Sequence, residues 1–166
     1  MRKSFVVLAV VCLSAGIAAA QTVVPETPAA EQQTLEQYLK MVRGDLEAQR
    51  DSALQGVLEM NEAERKAFWP LKQAYDKELA EIGKRRLAAI QDYMKSYKQP
   101  TPEKARELFD RFYKLDEDRM ALRKKYFDLM SKEVSIVIAA QFSQLERQFE
   151  TMGDLKLATR MPLAVK

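Results

Sequence analysis

The side chains of this chain with the chemistry to act on another molecule are mostly charged, and they gather in short runs. Lys84-Arg85-Arg86 and Arg123-Lys124-Lys125 are basic; Asp116-Glu117-Asp118-Arg119 is mostly acidic. Such runs can bind an anion, hold an acid–base pair or fasten one helix to another. The partners that would turn them into an active site are scarce. The chain has no histidine and a single cysteine, Cys12. Acyl transfer and acid–base catalysis draw on histidine, cysteine or a carboxylate pair held in a pocket. No glycine-rich phosphate loop occurs, and the acids are spread along helix surfaces. The expectation is a protein that is not an enzyme, with no catalytic residue and no cofactor. Metal binding is not expected either, because histidine is absent and no two methionines are spaced Met-x-x-Met.

Helices must position these charges. Glycine (5) and proline (6) are scarce in 166 residues and aromatics make up 8%, which argues against a sandwich or barrel. Leu35, Leu39, Val42, Leu46, Gln49, Ala53 and Val57 follow steps of three and four, one stripe of a first helix. Asn61 with Glu64 three residues on has the spacing of a capping box. It opens a second helix, about Glu62 to Lys98, whose stripe is Phe68, Leu71, Tyr75, Leu79, Ile82, Arg86, Ile90, Tyr93 and Tyr97. Gln99-Pro100-Thr101-Pro102 breaks that helix, because a proline excludes the helical region for the residue before it. Thr101 caps a third helix with Pro102 at its first position. There Leu108, Phe112, Leu115, Arg119, Leu122, Tyr126 and Leu129 form a coiled-coil seam with one arginine in it. Ser135 starts a fourth helix with the stripe Ile138, Phe142, Leu145, Phe149 and Met152.

The expected fold is all-α: a long antiparallel hairpin of residues 62–98 and 102–133, with two further helices. A turn near residues 99 and 100 sets Arg86 within one helical turn of Asp116 and Glu117. An ion pair there, buried or half-buried, would fix the helix register. Pro70 falls nine positions into the second helix, where proline costs about 3 kcal/mol or more. The stripe Phe68, Leu71, Tyr75 keeps its phase through it, so a kink is expected rather than a helix end. That kink either lets the helix wrap its own core or shapes a concave surface beside Trp69.

The expected division is a cleaved signal peptide (1–20), a flexible arm (21–33) and a single helical domain (34–166). Arg2 and Lys3 precede the apolar stretch from Phe5 to Ile17, and Ala18-Ala19-Ala20 offers a small-residue cleavage site. Cys12 would leave with the leader, so no disulfide is expected. The apolar stretch falls short of the roughly 20 residues that span a bilayer, so the mature chain is expected to lack an integral membrane segment. Loss of Arg2 and Lys3 leaves 25 basic residues against 24 acidic ones. That balance does not predict binding to nucleic acid or to an anionic membrane. The expected location is periplasmic or secreted.

A faint internal repeat runs through the helical part. Met60-Asn61-Glu62-Ala63-Glu64 opens one helix and Val134-Ser135-Ile136-Val137-Ile138 another, each an apolar residue followed by a capping residue. Any two capped amphipathic helices can share this pattern. Doubled in a small exported helical protein, it also resembles the Spy/CpxP-like periplasmic family with its paired LTXXQ motif, over roughly residues 57–150. Met60, Asn61 and Glu64 stand for the leucine, threonine and glutamine of one copy. Ile138 stands where the second copy would have glutamine. Phe68-Trp69-Pro70 is similar to a segment of another group of secreted helical proteins. The family resemblance implies an ATP-independent chaperone-like or envelope-stress protein that holds unfolded or partly folded envelope proteins on an amphipathic surface. Met60, Phe68, Trp69, Pro70 and Phe142 are the candidate client-binding residues. The alternative is a structural or signalling module, possible as a homodimer, that docks on one envelope protein.

Overall fold

The structure, a computed structural model, describes residues 28–165, so the expected leader and residues 21–27 of the expected arm lie outside the described residues. It contains four helices: α1 (Pro28–Val57), α2 (Glu62–Ser96), α3 (Pro102–Glu133) and α4 (Ile136–Ala158). No strand occurs among the described residues. The fold is all-α, as the sequence predicts.

Local chemistry fixes three of the helix starts. Asn61 Oδ1 accepts a hydrogen bond from the Glu64 amide and Glu64 Oε2 accepts one from the Asn61 amide, both 2.9 Å, which completes the capping box. Thr101 Oγ1 accepts from the Lys104 amide at 3.2 Å, with Pro102 first in the helix. Ser135 Oγ accepts from the Val137 amide at 3.2 Å. Pro70 lies within α2, which continues on both sides of it. Proline offers no N–H, so the Lys66 carbonyl loses its helical partner. Pro70 and Lys66 are both exposed, which leaves that carbonyl open to water.

α2 packs along α3, α3 along α4 and α4 along α1, while α1 and α2 touch least. The shared core holds Leu54, Phe68, Ile82, Leu115, Leu122, Met130 and Ile138. Phe142 sits edge-on to both Phe68 (5.7 Å between ring centres) and Tyr75 (5.2 Å), and Tyr75 meets Tyr126 in the same way at 5.3 Å. Such pairs add roughly 0.5–1.5 kcal/mol each beyond their buried area.

The α2–α3 hairpin is flanked by a ladder of ion pairs: Glu78–Lys125 at 2.6 Å, Arg85–Asp118 at 2.7 Å and Asp92–Arg111 at 2.8 Å. Each rung lies seven residues from the next on both helices, the heptad spacing of a coiled-coil flank. At the hairpin tip the Tyr93 hydroxyl donates to the Pro162 carbonyl at 2.7 Å, and the Val165 amide donates to the Tyr97 carbonyl at 2.9 Å.

Some expectations differ in detail. Residues 28–33, expected within the arm, are part of α1. The buried stripe of α1 runs Leu46, Arg50 and Leu54 in steps of four and is continued by Leu58 just past the helix end, with Leu46 half-buried, whereas Gln49 and Val57 are exposed. On α4, Met152 is exposed, and Glu146 and Leu157 are buried.

Candidate functional site

Because α1 leans on α4 and hardly on α2, a groove opens between α1 and α2, with α4 and the edge of α3 as its floor. Its cavity is about 810 Å³, inside the range of roughly 300–1,000 Å³ common for ligand pockets. Leu39, Val42 and Leu46 form the α1 wall; Leu79, Ile82 and Ile90 form the α2 wall. Phe149 and Leu157 of α4 lie below. At Gly153 α4 passes close to α1: a Cβ there would meet Leu46 Cδ1 at 3.4 Å, an ordinary contact distance.

One end of the groove is closed by a charge lattice that joins three helices. Arg50 of α1 donates from Nε to Glu146 of α4 and from Nη2 to Asp76 of α2, the latter at 2.5 Å. Lys72 of α2 reaches Asp51 of α1 at 2.6 Å and Asp76 at 2.8 Å. Arg50, Lys72 and Glu146 are buried. Burial works against the Arg50 charge, but Glu146 and Asp76 outweigh it and hold the guanidinium protonated above its ordinary range. Burial pushes the Glu146 carboxyl above the usual carboxylate range, and Arg50 offsets only part of that. The Tyr75 hydroxyl, hydrogen-bonded to Glu146, is raised by burial and then by that neighbouring charge. This region can hold helices together, and its charges already have partners.

A second cluster lies on the groove floor. Asp154 of α4 pairs with Arg86 at 2.6 Å and Arg119 at 3.3 Å. Glu150 pairs with Arg119 at 3.1 Å and also with Arg123. Three guanidiniums from α2 and α3 thus share two carboxylates of α4, within a largely apolar groove.

The structure rearranges the residues singled out from the sequence. Arg86 pairs with Asp154 rather than with Asp116 or Glu117. Asp116 faces Arg119 at 3.7 Å and Glu117 faces Lys114 at 3.5 Å, both along α3. The hairpin places Arg85, not Arg86, against α3; the next residue is turned by about 100° (3.6 residues per turn) and meets α4. Met60, Phe68 and Phe142 are buried, Phe68 and Phe142 completely. They build the core, not a surface open to a client. Of the five candidate binding residues, Trp69 is half-buried and Pro70 is exposed.

Arg50, Lys72, Glu146, Glu150 and Asp154 are groove residues that the sequence reading missed. A signal for two of them exists. Arg50 stands between Leu46 and Leu54, and Glu146 between Phe142 and Phe149, in helical steps that continue an apolar stripe.

Among the described residues no helix is long and apolar enough to cross a membrane, and no group of three or more metal-ligating side chains gathers. No family model, no curated protein and no solved structure matches this chain.

Proposed function

We propose that this protein is a non-enzymatic binding protein of the cell envelope, which holds unfolded or partly folded proteins without ATP. The groove between α1 and α2 carries the reading. Its walls offer leucine and isoleucine side chains beside paired charges, a surface suited to an amphipathic segment. Apolar side chains of a client would lie against Leu46, Leu79 and Ile82, with its charges met at the groove margin by groups such as Lys40 and Lys84. Export rests on the leader-like residues 1–20, and the mature chain then begins at Gln21. N-terminal sequencing of exported material checks that start. The chaperone-like character is in keeping with the Spy/CpxP-like resemblance of the two capped helix starts.

The decisive experiment adds purified protein to a reduced or unfolded test protein and follows aggregation by light scattering. Near-stoichiometric amounts should slow aggregation. No effect at several-fold excess removes the reading.

The outer face of α3 favours a second reading. Phe109, Tyr113 and Met120 are exposed there, and the Phe109 and Tyr113 rings lie 6.4 Å apart. In that reading the protein docks on one envelope protein, as a structural or signalling module. A specific cross-link to a single partner, with no effect on unfolded clients, would select it.

A further inference from the structure

We infer that the groove between α1 and α2 takes a single-chain amphiphile with an anionic head, of the fatty-carboxylate class. The inference rests on the groove being an open binding site, as proposed above, and adds the chemistry of a small ligand.

Charge complementarity carries the choice of head group. On the groove floor Arg86, Arg119 and Arg123 face Glu150 and Asp154. Arg147 also reaches Glu150 at 3.2 Å, and Asp116 reaches Arg119 at 3.7 Å. Counting those outer groups, arginine still exceeds carboxylate by one. An added carboxylate balances the cluster, whereas an added cation enlarges its excess. At the closed end the balance has the opposite sign, because Arg50 and Lys72 face Asp51, Asp76 and Glu146. An anionic head is therefore drawn to the arginine cluster and not to the lattice.

The walls carry the choice of tail. From Leu79 to Ile90 the α2 side of the groove extends for about 16 Å at 1.5 Å per residue. Across it stand Leu39, Val42 and Leu46, with Phe149 and Leu157 beneath. An alkyl chain needs apolar cover and no hydrogen-bond partner; Leu79, Ile82 and Phe149 supply it on one side of Arg86, and Ile90 and Leu157 on the other.

Isothermal titration of the full chain with dodecanoate, decanoate and dodecyltrimethylammonium, each below its micelle concentration, tests the inference. Dodecanoate should bind one to one and at least tenfold more tightly than dodecyltrimethylammonium. Decanoate should bind about 15-fold more weakly than dodecanoate, at about fourfold per methylene. Arg86→Gln should remove the preference for the carboxylate. Ala80→Phe, which fills the groove from α2, should lower dodecanoate affinity at least tenfold with an unchanged circular dichroism spectrum. Lys124→Ala, on the exposed side of α3, should bind as the parent does. No binding of dodecanoate, equal binding of the two head groups, or full binding by Ala80→Phe would overturn the inference. Aggregation suppression measured beside it separates the two proposals. Protection of clients without dodecanoate binding sinks only the ligand, and dodecanoate binding without protection sinks only the client reading.

Discussion

Two sets of ion pairs brace this bundle, and they differ in almost everything except residue type. The outer ladder, Glu78–Lys125, Arg85–Asp118 and Asp92–Arg111, runs along the α2–α3 hairpin in contact with water. The inner lattice, Arg50–Glu146, Arg50–Asp76 and Lys72–Asp51, lies between α1, α2 and α4. On the ladder, hydrogen bonds from Lys125, Arg111 and Arg85 hold Glu78, Asp92 and Asp118 below the usual carboxylate range. In the lattice, burial pushes Glu146 the other way. Water access decides the sign. The ladder fits the register of two helices that already pack well, and exposed pairs contribute only about 0–1 kcal/mol each. The lattice fastens α1, which has little other contact with α2, and removing Arg50 strands the buried Glu146 carboxylate.

The sharpest way to break this comparison is Arg50→Ala. It leaves Glu146 buried without its cation, a loss that typically costs about 3–5 kcal/mol. Urea unfolding should register that full cost. A cost below about 1 kcal/mol would mean the lattice is as hydrated as the ladder. The paired change Arg50→Met with Glu146→Leu should recover most of the loss, since well-packed apolar replacements of a buried pair are often neutral or stabilising by about 1–4 kcal/mol. Asp76 keeps Lys72 as its partner in that variant, at 2.8 Å.

Next in size come the seam leucines between the two sides of the ladder. Leu115 and Leu122 are buried on α3, and truncating a buried leucine costs about 2–5 kcal/mol. Leu115→Ala and Leu122→Ala should each lower the melting temperature. Unchanged melting in both would separate the ladder from the packing it flanks.

The hairpin was legible in the sequence because its signals are local and conventional. Asn61 with Glu64, Thr101 with Pro102 and Ser135 mark helix starts that the structure reproduces. Periodicity also found Ile82, Leu115 and Leu122. The lattice escaped for one physical reason. Arg86 and Arg119 have no uncharged neighbour that keeps the phase of their stripes and are read into them, whereas Arg50 stands beside Gln49, which fits a step of three from Leu46, and is read out. In α1 this moved the stripe from Arg50 and Leu54 onto Gln49 and Ala53. The resemblance of the two capped helix starts, not periodicity, sends Met60, Phe68 and Phe142 to a binding surface; the stripes already hold Phe68 and Phe142, and all three are buried. Arg86 was misplaced by one residue of helical rotation, which no hairpin argument resolves without knowing where α4 lies.

The lattice and ladder should also respond oppositely to acid. The Glu146 carboxyl is raised in the folded state. Its contribution to stability is therefore fully present below the unfolded value of 4.5 and is lost as pH rises through the folded value. Glu146→Gln, which cannot ionise, should flatten the stability profile between mildly acidic and neutral pH. Chemical denaturation at several pH values reads the slope directly. An equally steep fall in the variant would assign that slope to another group.

The smallest effect belongs to a single rung, and it makes the comparison quantitative. Asp118 accepts from Arg85 at 2.7 Å and pairs with Lys114 at 3.1 Å. Arg85 first and Lys114 second hold its carboxyl below the ordinary aspartate value of 3.8. A depressed carboxylate contributes stability above its unfolded value and loses it as pH falls through the folded one. Asp118→Asn should therefore cost about 0–1 kcal/mol at neutral pH, and the difference from the parent should vanish in acid. The cost should also shrink in 1 M salt, where screening acts over about 3 Å. The Arg50→Ala cost should persist in the same salt, because its stranded carboxylate is buried away from the ions. If salt erased both costs alike, the lattice would be no drier than the ladder, and its proposed role in holding α1 beside the groove would fall with it.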